Sequence, residues 1–315
     1  MEKIDKSRFA WVGADPERRE GIARPSVTYW KDAMGRLMKN KVAMVCLLII
    51  VLLIIACALV PMFSPYTSRE QHLSELNKGF FTVCNDGEHA GTMHVFGTDK
   101  LGRDLLTRAF EGGRVSLMIA FAAVSVNLII GMIYGGISGY FGGMVDNIMM
   151  RIVEVVNGIP YLIVVVLLMM VLPKGIFTMV VAYATVGWTG MARLVRGQCL
   201  ALKNQEFVVA AEAMGAKASR IIARHLLPNT LSVIIINVTL AVPSAIFTEA
   251  FLSYIGLGVP VPQPSWGMLA QEGAGMFQLY PSQLWIPAIA ISLTMLSFNL
   301  LGDGLRDALD PRLRR

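Results

Sequence analysis

At 315 residues, 55% hydrophobic and 16% charged, with a mean hydropathy of +0.57, the chain is too apolar for an ordinary soluble domain, in which charged residues make up about 25%. Its formal charge of +6 invites a nucleic-acid partner, a reading that survives only if the basic residues are not sorted to one side of a membrane. Four cysteines, Cys46, Cys57, Cys84 and Cys199, show no metal-type or disulfide spacing. The first two lie in an apolar run and the others in loops on opposite faces, where they read as packing or solvated thiols.

Six runs approach the roughly 20 apolar residues that cross a hydrocarbon core. A basic leader, 1–42, precedes the first, 43–63, which holds no charge. That leader is too long for the n-region of a cleaved signal, and no small-residue cleavage site follows, so 43–63 reads as a retained anchor. An external loop, 64–114, leads to the second span, 115–139, where Gly131, Gly135 and Gly139 form a ladder on one helix face suited to close approach of a neighbour. The third span, 152–172, is interrupted by Gly158 and Pro160. The fourth is 176–191. The fifth, 231–252, is interrupted by Pro243, and breaks of this kind need protein or a water-filled cavity beside them. The sixth is 285–301, and a tail, 302–315, closes the chain. With the N-terminus inside, 21 of the 28 Lys and Arg fall on the cytoplasmic side and six on the other. Both termini are therefore expected in the cytoplasm, and nucleic acid drops out as a partner.

Catalytic signatures are lacking. No GxxxxGK[ST] loop is present, and His72, His89, His94 and His225 have no zinc spacing, so no residue is assigned to a metal. Gly136-Ile137-Ser138-Gly139 is the nearest approach to a nucleophile elbow, but GxSxG fails at Tyr140. Of the charged residues in or beside the apolar runs, Glu154 has Arg151 three residues earlier and reads as half of an interfacial ion pair. Glu249, near the outer end of the fifth span, fits either a structural pair or a contact with the amino group of a passing peptide. Glu249 and Asn157 are the candidates for a substrate path.

The most informative segment is cytoplasmic, 204–229. Phe207, Val208, Ala211 and Met214 follow helical spacing, Gly215 breaks the helix, and a second short helix carrying Ile221, Ile222 and Leu226 runs to Pro228, with Asn229 placed to cap the next span. Two short helices with small residues at their turn suit insertion into a groove on a soluble partner.

This loop resembles the EAA loop of ABC-importer permeases through Ala210, Ala211, Gly215, Ile221, Leu227, Pro228 and Asn229, and departs from it at Val209, where that family usually has glutamate. Phe96-Gly-Thr-Asp-Lys-Leu-Gly-Arg-Asp104 with Arg108 and Gly113-Arg114-Val-Ser-Leu117, then Glu249-Ala-Phe-Leu-Ser-Tyr-Ile-Gly-Leu-Gly258 with Pro264-Ser-Trp-Gly267, and finally Gly302-Asp-Gly-Leu-Arg-Asp-Ala-Leu-Asp-Pro311, resemble blocks of the C-type permeases of dipeptide, oligopeptide and nickel importers. Four blocks in order cover nearly all of the chain from residue 94 onward.

The resemblance implies an all-α membrane protein with the type I importer permease fold: six spans in the cytoplasmic membrane, with a five-helix core over 115–301. It implies no catalysis and no cofactor in this chain, a B-type permease partner, two cytoplasmic ATPases that bind ATP and Mg, and an extracytoplasmic peptide-binding protein. Ala210, Ala211, Gly215, Ala216, Ile221, Leu227 and Pro228 would then dock an ATPase. Asp99, Arg103, Asp104 and Trp266 would face the binding protein, although Asp99, Arg103 and Asp104 equally suit holding the external loop. The rivals are a carrier driven by an ion gradient, which would place coupling carboxylates near mid-membrane, and a non-transporting scaffold.

Overall fold

A computed structural model describes residues 29–85, 89–260 and 262–310. Most of the leader and the last five residues therefore lie outside the described residues. Helix α1 (Tyr29–Lys39) leads into α2 (Lys41–Phe63), whose first turn is capped by the Asn40 side chain accepting from the Ala43 N–H. The Tyr29 hydroxyl donates to the Leu309 carbonyl at 2.8 Å and so ties α1 to the chain's far end. The following loop holds a two-stranded hairpin, β1 (Thr82–Val83) and β2 (Met93–His94).

Helix α3 (Leu105–Phe141) starts ten residues before the expected second span, because Asp104 caps it by accepting from the Thr107 N–H. The external loop is accordingly shorter than 64–114, and its last ten residues are helical. After α3, the expected 152–172 span is two helices, α4 (Gly143–Gly158) and α5 (Tyr161–Val171), bent by 77°. Pro160 forces Ile159 into extended backbone (φ −91°, ψ 127°), which ends α4. Helix α6 (Ile176–Lys203) follows, then α7 (Glu206–Ala213) and α8 (Ala218–Ile221). A π-helical turn over Ile222–Leu226 joins α8 to α9 (Leu227–Tyr254). Pro228 does not stop this helix: it follows directly on the π turn, whose altered hydrogen bonding precedes it, and the chain stays helical through it into α9. Asn229 donates to the His225 carbonyl and is not a cap. Pro243 leaves α9 unbroken. A short α10 (Trp266–Met276) and α11 (Ser282–Leu309) complete the chain.

Among the described residues, four helical stretches can cross a membrane by length and composition: α2, α3, the continuous α8–α9 and α11. The bent α4–α5 pair would make a fifth. Helix α6, which contains the expected 176–191 span, is long enough but is diluted by threonines, glycines and Arg193.

Helix α3 packs on α6. The buried residues of α6 recur every three or four positions, from Thr178 through Ala182, Val186, Thr189, Ala192 and Val195 to Cys199. Against this stripe the glycine ladder leaves no room: a Cβ on Gly131 would lie 2.5 Å from the Met191 Cβ, on Gly135 2.3 Å from the Ala192 carbonyl oxygen, and on Gly139 2.6 Å from the Cys199 Cβ. The ladder is a helix-packing seam. Cys199 is thus in a helix, not a loop, and all four cysteines are buried and outside any disulfide.

The main core joins α2, α3, α9, α10 and α11 around Cys57, Leu117, Ile246, Trp266 and Phe298. A second lies among α3, α5 and α6, and a third underlies α7 and the π turn. Much of α4 and α5 faces outward with large apolar side chains, including Met144, Val155, Met170 and Val171.

Candidate functional site

At the end of the molecule that carries 204–229, α7 and the π turn form a compact knob. Val208, Ala211, Ile221 and Leu226 are buried against Val195, Cys199 and Ile234. The four apolar residues expected on one face of α7 therefore divide: Val208 and Ala211 face inward, while Phe207 and Met214 are exposed, Met214 at 81%. Ala210, Gly215 and Pro228 are exposed, Ala216 and Leu227 half-buried, and Ile221 fully buried. The buried members anchor the knob, and Phe207, Val209, Ala210 and Met214 form its apolar outer surface.

The turn between the two helices has a definite chemistry. The Gly215 N–H donates to the Glu212 carbonyl and the Ala216 N–H to the Ala211 carbonyl, the paired bonds that satisfy a helix C-terminus when the next residue is left-handed. Gly215 has φ +75° with open space around it, so any side chain there is opposed by backbone conformation and not by collision. Below the knob, Arg196 of α6 makes a bidentate pair with Asp146 of α4 (both 2.5 Å), and Ser138 of α3 donates to the same carboxylate at 2.5 Å. Sequence reading missed this clamp, since its members lie 8 and 50 residues apart.

At the other end, the four residues expected to face a delivery protein are buried: Asp99, Arg103, Asp104 and Trp266 are 3, 3, 2 and 1% exposed. Their polar atoms are spent internally. Asp99 accepts from the N–H groups of Leu101 and Arg103, from Arg103 Nε at 2.6 Å, and from Arg108. Glu272 on α10 receives both arginines, Arg103 at 3.1 Å and Arg108 at 2.9 Å. Trp266 donates from its indole to the Ala109 carbonyl and lies where a Cβ on Gly113 would come within 2.6 Å of its ring. Gly102 is required because its φ is +72° and a Cβ would fall 1.9 Å from the His72 carbonyl oxygen. The FGTDKLGRD block therefore folds the loop onto α3 and α10, with Asp99, Arg103, Asp104 and Trp266 all part of that packing.

Of the substrate-path candidates, Glu249 is 2% exposed and accepts from Ser116 (2.7 Å) and Ser253 (2.8 Å), while Ser116 accepts from the Trp266 N–H. It thereby joins α3, α9 and α10, and the cavity beside it is near 10 Å³, too small for even one amino-acid side chain. Glu249→Gln keeps an acceptor in place and is expected to cost no more than about 1 kcal/mol of stability and to leave substrate uptake intact. Loss of uptake from a fully folded variant would put Glu249 back on the path. Asn157 is exposed at the end of α4, where it accepts from Thr189 at 3.1 Å and donates to the Val153 carbonyl. Arg151 and Glu154 form an exposed pair at 2.7 Å.

Residues 114–315 match the family described as binding-protein-dependent transport system inner membrane component, and residues 28–79 match the N-terminal TM domain of oligopeptide transport permease C. The chain belongs to this permease family. It is 48% identical over its whole length to the oligopeptide transport system permease protein OppC of Bacillus subtilis, with 100% of both chains covered. It is also 48% identical to the dipeptide transport system permease protein DppC of the same organism, covering 94% of this chain and 90% of that one. The OppC of Escherichia coli K12 is 42% identical over 90% of this chain and 92% of its own. A chain of the MetNI methionine ABC transporter in inward-facing conformations aligns with a TM-score of 0.47 at 18% identity, covering 65% of this chain and 96% of that one, too loose a likeness to carry an argument. Family membership, with four or five membrane-capable helices, makes this permease a multi-pass membrane protein.

Proposed function

We propose that this permease is one of two channel-forming subunits of an ABC importer that moves di- or oligopeptides across the cytoplasmic membrane. Six helices cross the bilayer, α6 among them, with both termini in the cytoplasm. A homologous permease completes the path, two partner ATPases bind ATP and Mg and hydrolyse the nucleotide, and an extracytoplasmic binding protein delivers the peptide. The cargo reading is supported by the oligopeptide and dipeptide permeases to which the chain is similar.

One observation carries the mechanism: the second half of the knob, on which Val208 and Ala211 of α7 are packed, is one piece with a membrane helix. Helix runs without interruption from Ala218 to Tyr254, so a push on the knob moves α9 as a rod, and α9 carries Glu249, bonded to Ser116 of α3. The ATPases grip the exposed Phe207, Val209, Ala210 and Met214. Closure of the ATPase pair on ATP shifts the rod between two positions, and the coupling is the difference in contact energy between them. The π turn at Ile222–Leu226 sits where the force enters, a common place for such turns.

Gly215→Val tests this. A β-branched residue in left-handed backbone costs about 1–2 kcal/mol or more, which lowers the ratio of native to altered turn roughly five- to thirty-fold. Peptide uptake by reconstituted importer is expected to fall, by up to that factor, while ATP hydrolysis and membrane insertion persist. Uptake at the native rate would remove the knob from the coupling path.

A further inference from the structure

The 64–104 loop brings together three side chains of different chemistry that sequence spacing does not connect. The Glu75 carboxylate, the Cys84 thiol and the His94 ring offer ligand atoms that all lie within 4.8 Å of one another, and all three residues are buried. The hairpin explains two of them. Thr82 pairs with His94, and the strand direction continues to Cys84, whose N–H donates to the Thr92 carbonyl. Alternation then puts Cys84 on the same face as Thr82 and hence as His94. Glu75 arrives from a turn closed by its own N–H on the His72 carbonyl.

We propose that Glu75, Cys84 and His94 bind one zinc-class divalent cation that clips this loop to the start of α3. The donor set, one sulfur, one nitrogen and one oxygen, suits Zn²⁺ and excludes Mg²⁺ or Ca²⁺, which take oxygen ligands. The geometry is close to what the ion needs. Bond lengths of about 2.0–2.3 Å place tetrahedral ligands roughly 3.3–3.7 Å apart, and His94 Nε2 already lies 3.2 Å from Glu75 Oε2. The other ring nitrogen, Nδ1, is 2.9 Å from the Asp104 carboxylate. A metal-binding histidine is held in this way, with one nitrogen on a carboxylate, and the other, which here contacts Glu75, would share the ion with it.

Charge supports the assignment. Glu75 and Asp104 are carboxylates at 2% exposure on either side of a single, fully buried histidine. Asp104 has the first turn of α3 and the Thr107 hydroxyl to accept from. Glu75 has the Asn85 N–H at 2.6 Å. A thiolate and the Glu75 carboxylate bring two negative charges against the two of the cation, while the Asp104 carboxylate is met by the His94 ring and by the Thr107 N–H and hydroxyl. Coordination needs the thiolate and a neutral ring nitrogen, so the ion enters as protons leave. Three protein donors leave one tetrahedral position to a small ligand such as water. Since Asp104 caps α3 and Glu75 also holds Thr98 through its backbone carbonyl, the ion would tie turn, hairpin and membrane helix at one point.

The test uses the full-length chain in detergent, stripped with a chelator and titrated with Co²⁺ as a spectroscopic stand-in for Zn²⁺. One Co²⁺ per chain is expected, with a thiolate charge-transfer band in the near ultraviolet that Zn²⁺ abolishes. Cys84→Ser should lose the band and Cys46→Ser, changed inside α2, should keep it. Protein purified without chelator should carry about one zinc per chain by elemental mass spectrometry. A wild-type chain that shows no thiolate band and carries no stoichiometric zinc overturns the proposal without reference to any variant. A band of equal strength in Cys84→Ser overturns it as well. The three groups would then be a hydrogen-bonded cluster only.

Discussion

Arg108→Ala is expected to destabilise the protein by about 3–5 kcal/mol, because it leaves buried carboxylate charge uncompensated. Two arginines and two carboxylates make the cluster: Arg103 and Arg108 facing Asp99 and Glu272. Arg108 is fully buried, and Asp99 is 3% exposed, so water does not replace the lost partner. Removal leaves one arginine between two acids. The same side chain joins the loop, α3 and α10, so the loop should loosen before the helices do. Limited proteolysis within 64–104 and thermal unfolding in detergent would both read this.

A second variant sharpens the argument. Among the described residues, one terminal nitrogen of Arg108 makes the contacts, while Nε and the other terminal nitrogen have no hydrogen-bond partner. A single ammonium can therefore do most of what this guanidinium does, and Arg108→Lys should recover most of the loss. Equal damage from Ala and Lys would mean that packing of the planar group, and not its charge, holds the site.

Gly135→Leu is expected to cost at least about 3 kcal/mol, at the upper end of overpacking penalties. The collision is with backbone: the first added carbon lies 2.3 Å from the Ala192 carbonyl oxygen and 2.9 Å from the Arg196 nitrogen. Flexible side chains can give way, but these atoms cannot move without parting α3 from α6. Parting them would also pull Arg196 from Asp146, so the damage reaches the support of the knob. Gly190 on α6 provides the contrast, since nothing lies within 4 Å of a Cβ there. Gly190→Ala should be neutral or stabilise the helix by about 0.5–1 kcal/mol. Membrane-inserted yield and thermal unfolding of the two variants side by side would separate seam from surface.

What the sequence displayed, and what it hid, follows from the range of each interaction. The anchor 43–63 and the glycine ladder were readable because lipid burial and close packing act on composition and on i, i+4 spacing. The helix–Gly215–helix form was readable because a left-handed turn residue is a local demand. Helix ends were less so. Pro228 and Pro243 look like stops, yet one follows a π turn and the other lies inside a packed helix, and the second of the two expected short helices is the start of a longer rod. The outer block shows the other limit. Asp99, Arg103 and Asp104 are charged and lie in a loop, which suggests a surface, but their partners Glu272 and His94 are set by tertiary folding. Glu75, Cys84 and His94 escaped for the same reason, since their gaps of nine and ten residues match no metal motif and only the hairpin register aligns them.

The central claim, that the 218–254 rod is driven by partner ATPases, is tested most directly by isolating the chain from its native membrane in mild detergent and identifying its companions by mass spectrometry. A second permease together with P-loop ATPases should come with it, and an Ala211→Asp change in the buried footing of the knob should release the ATPases while the permease pair stays together. A chain recovered alone, or an ATPase retained unchanged by that variant, would contradict the coupling role assigned to the knob.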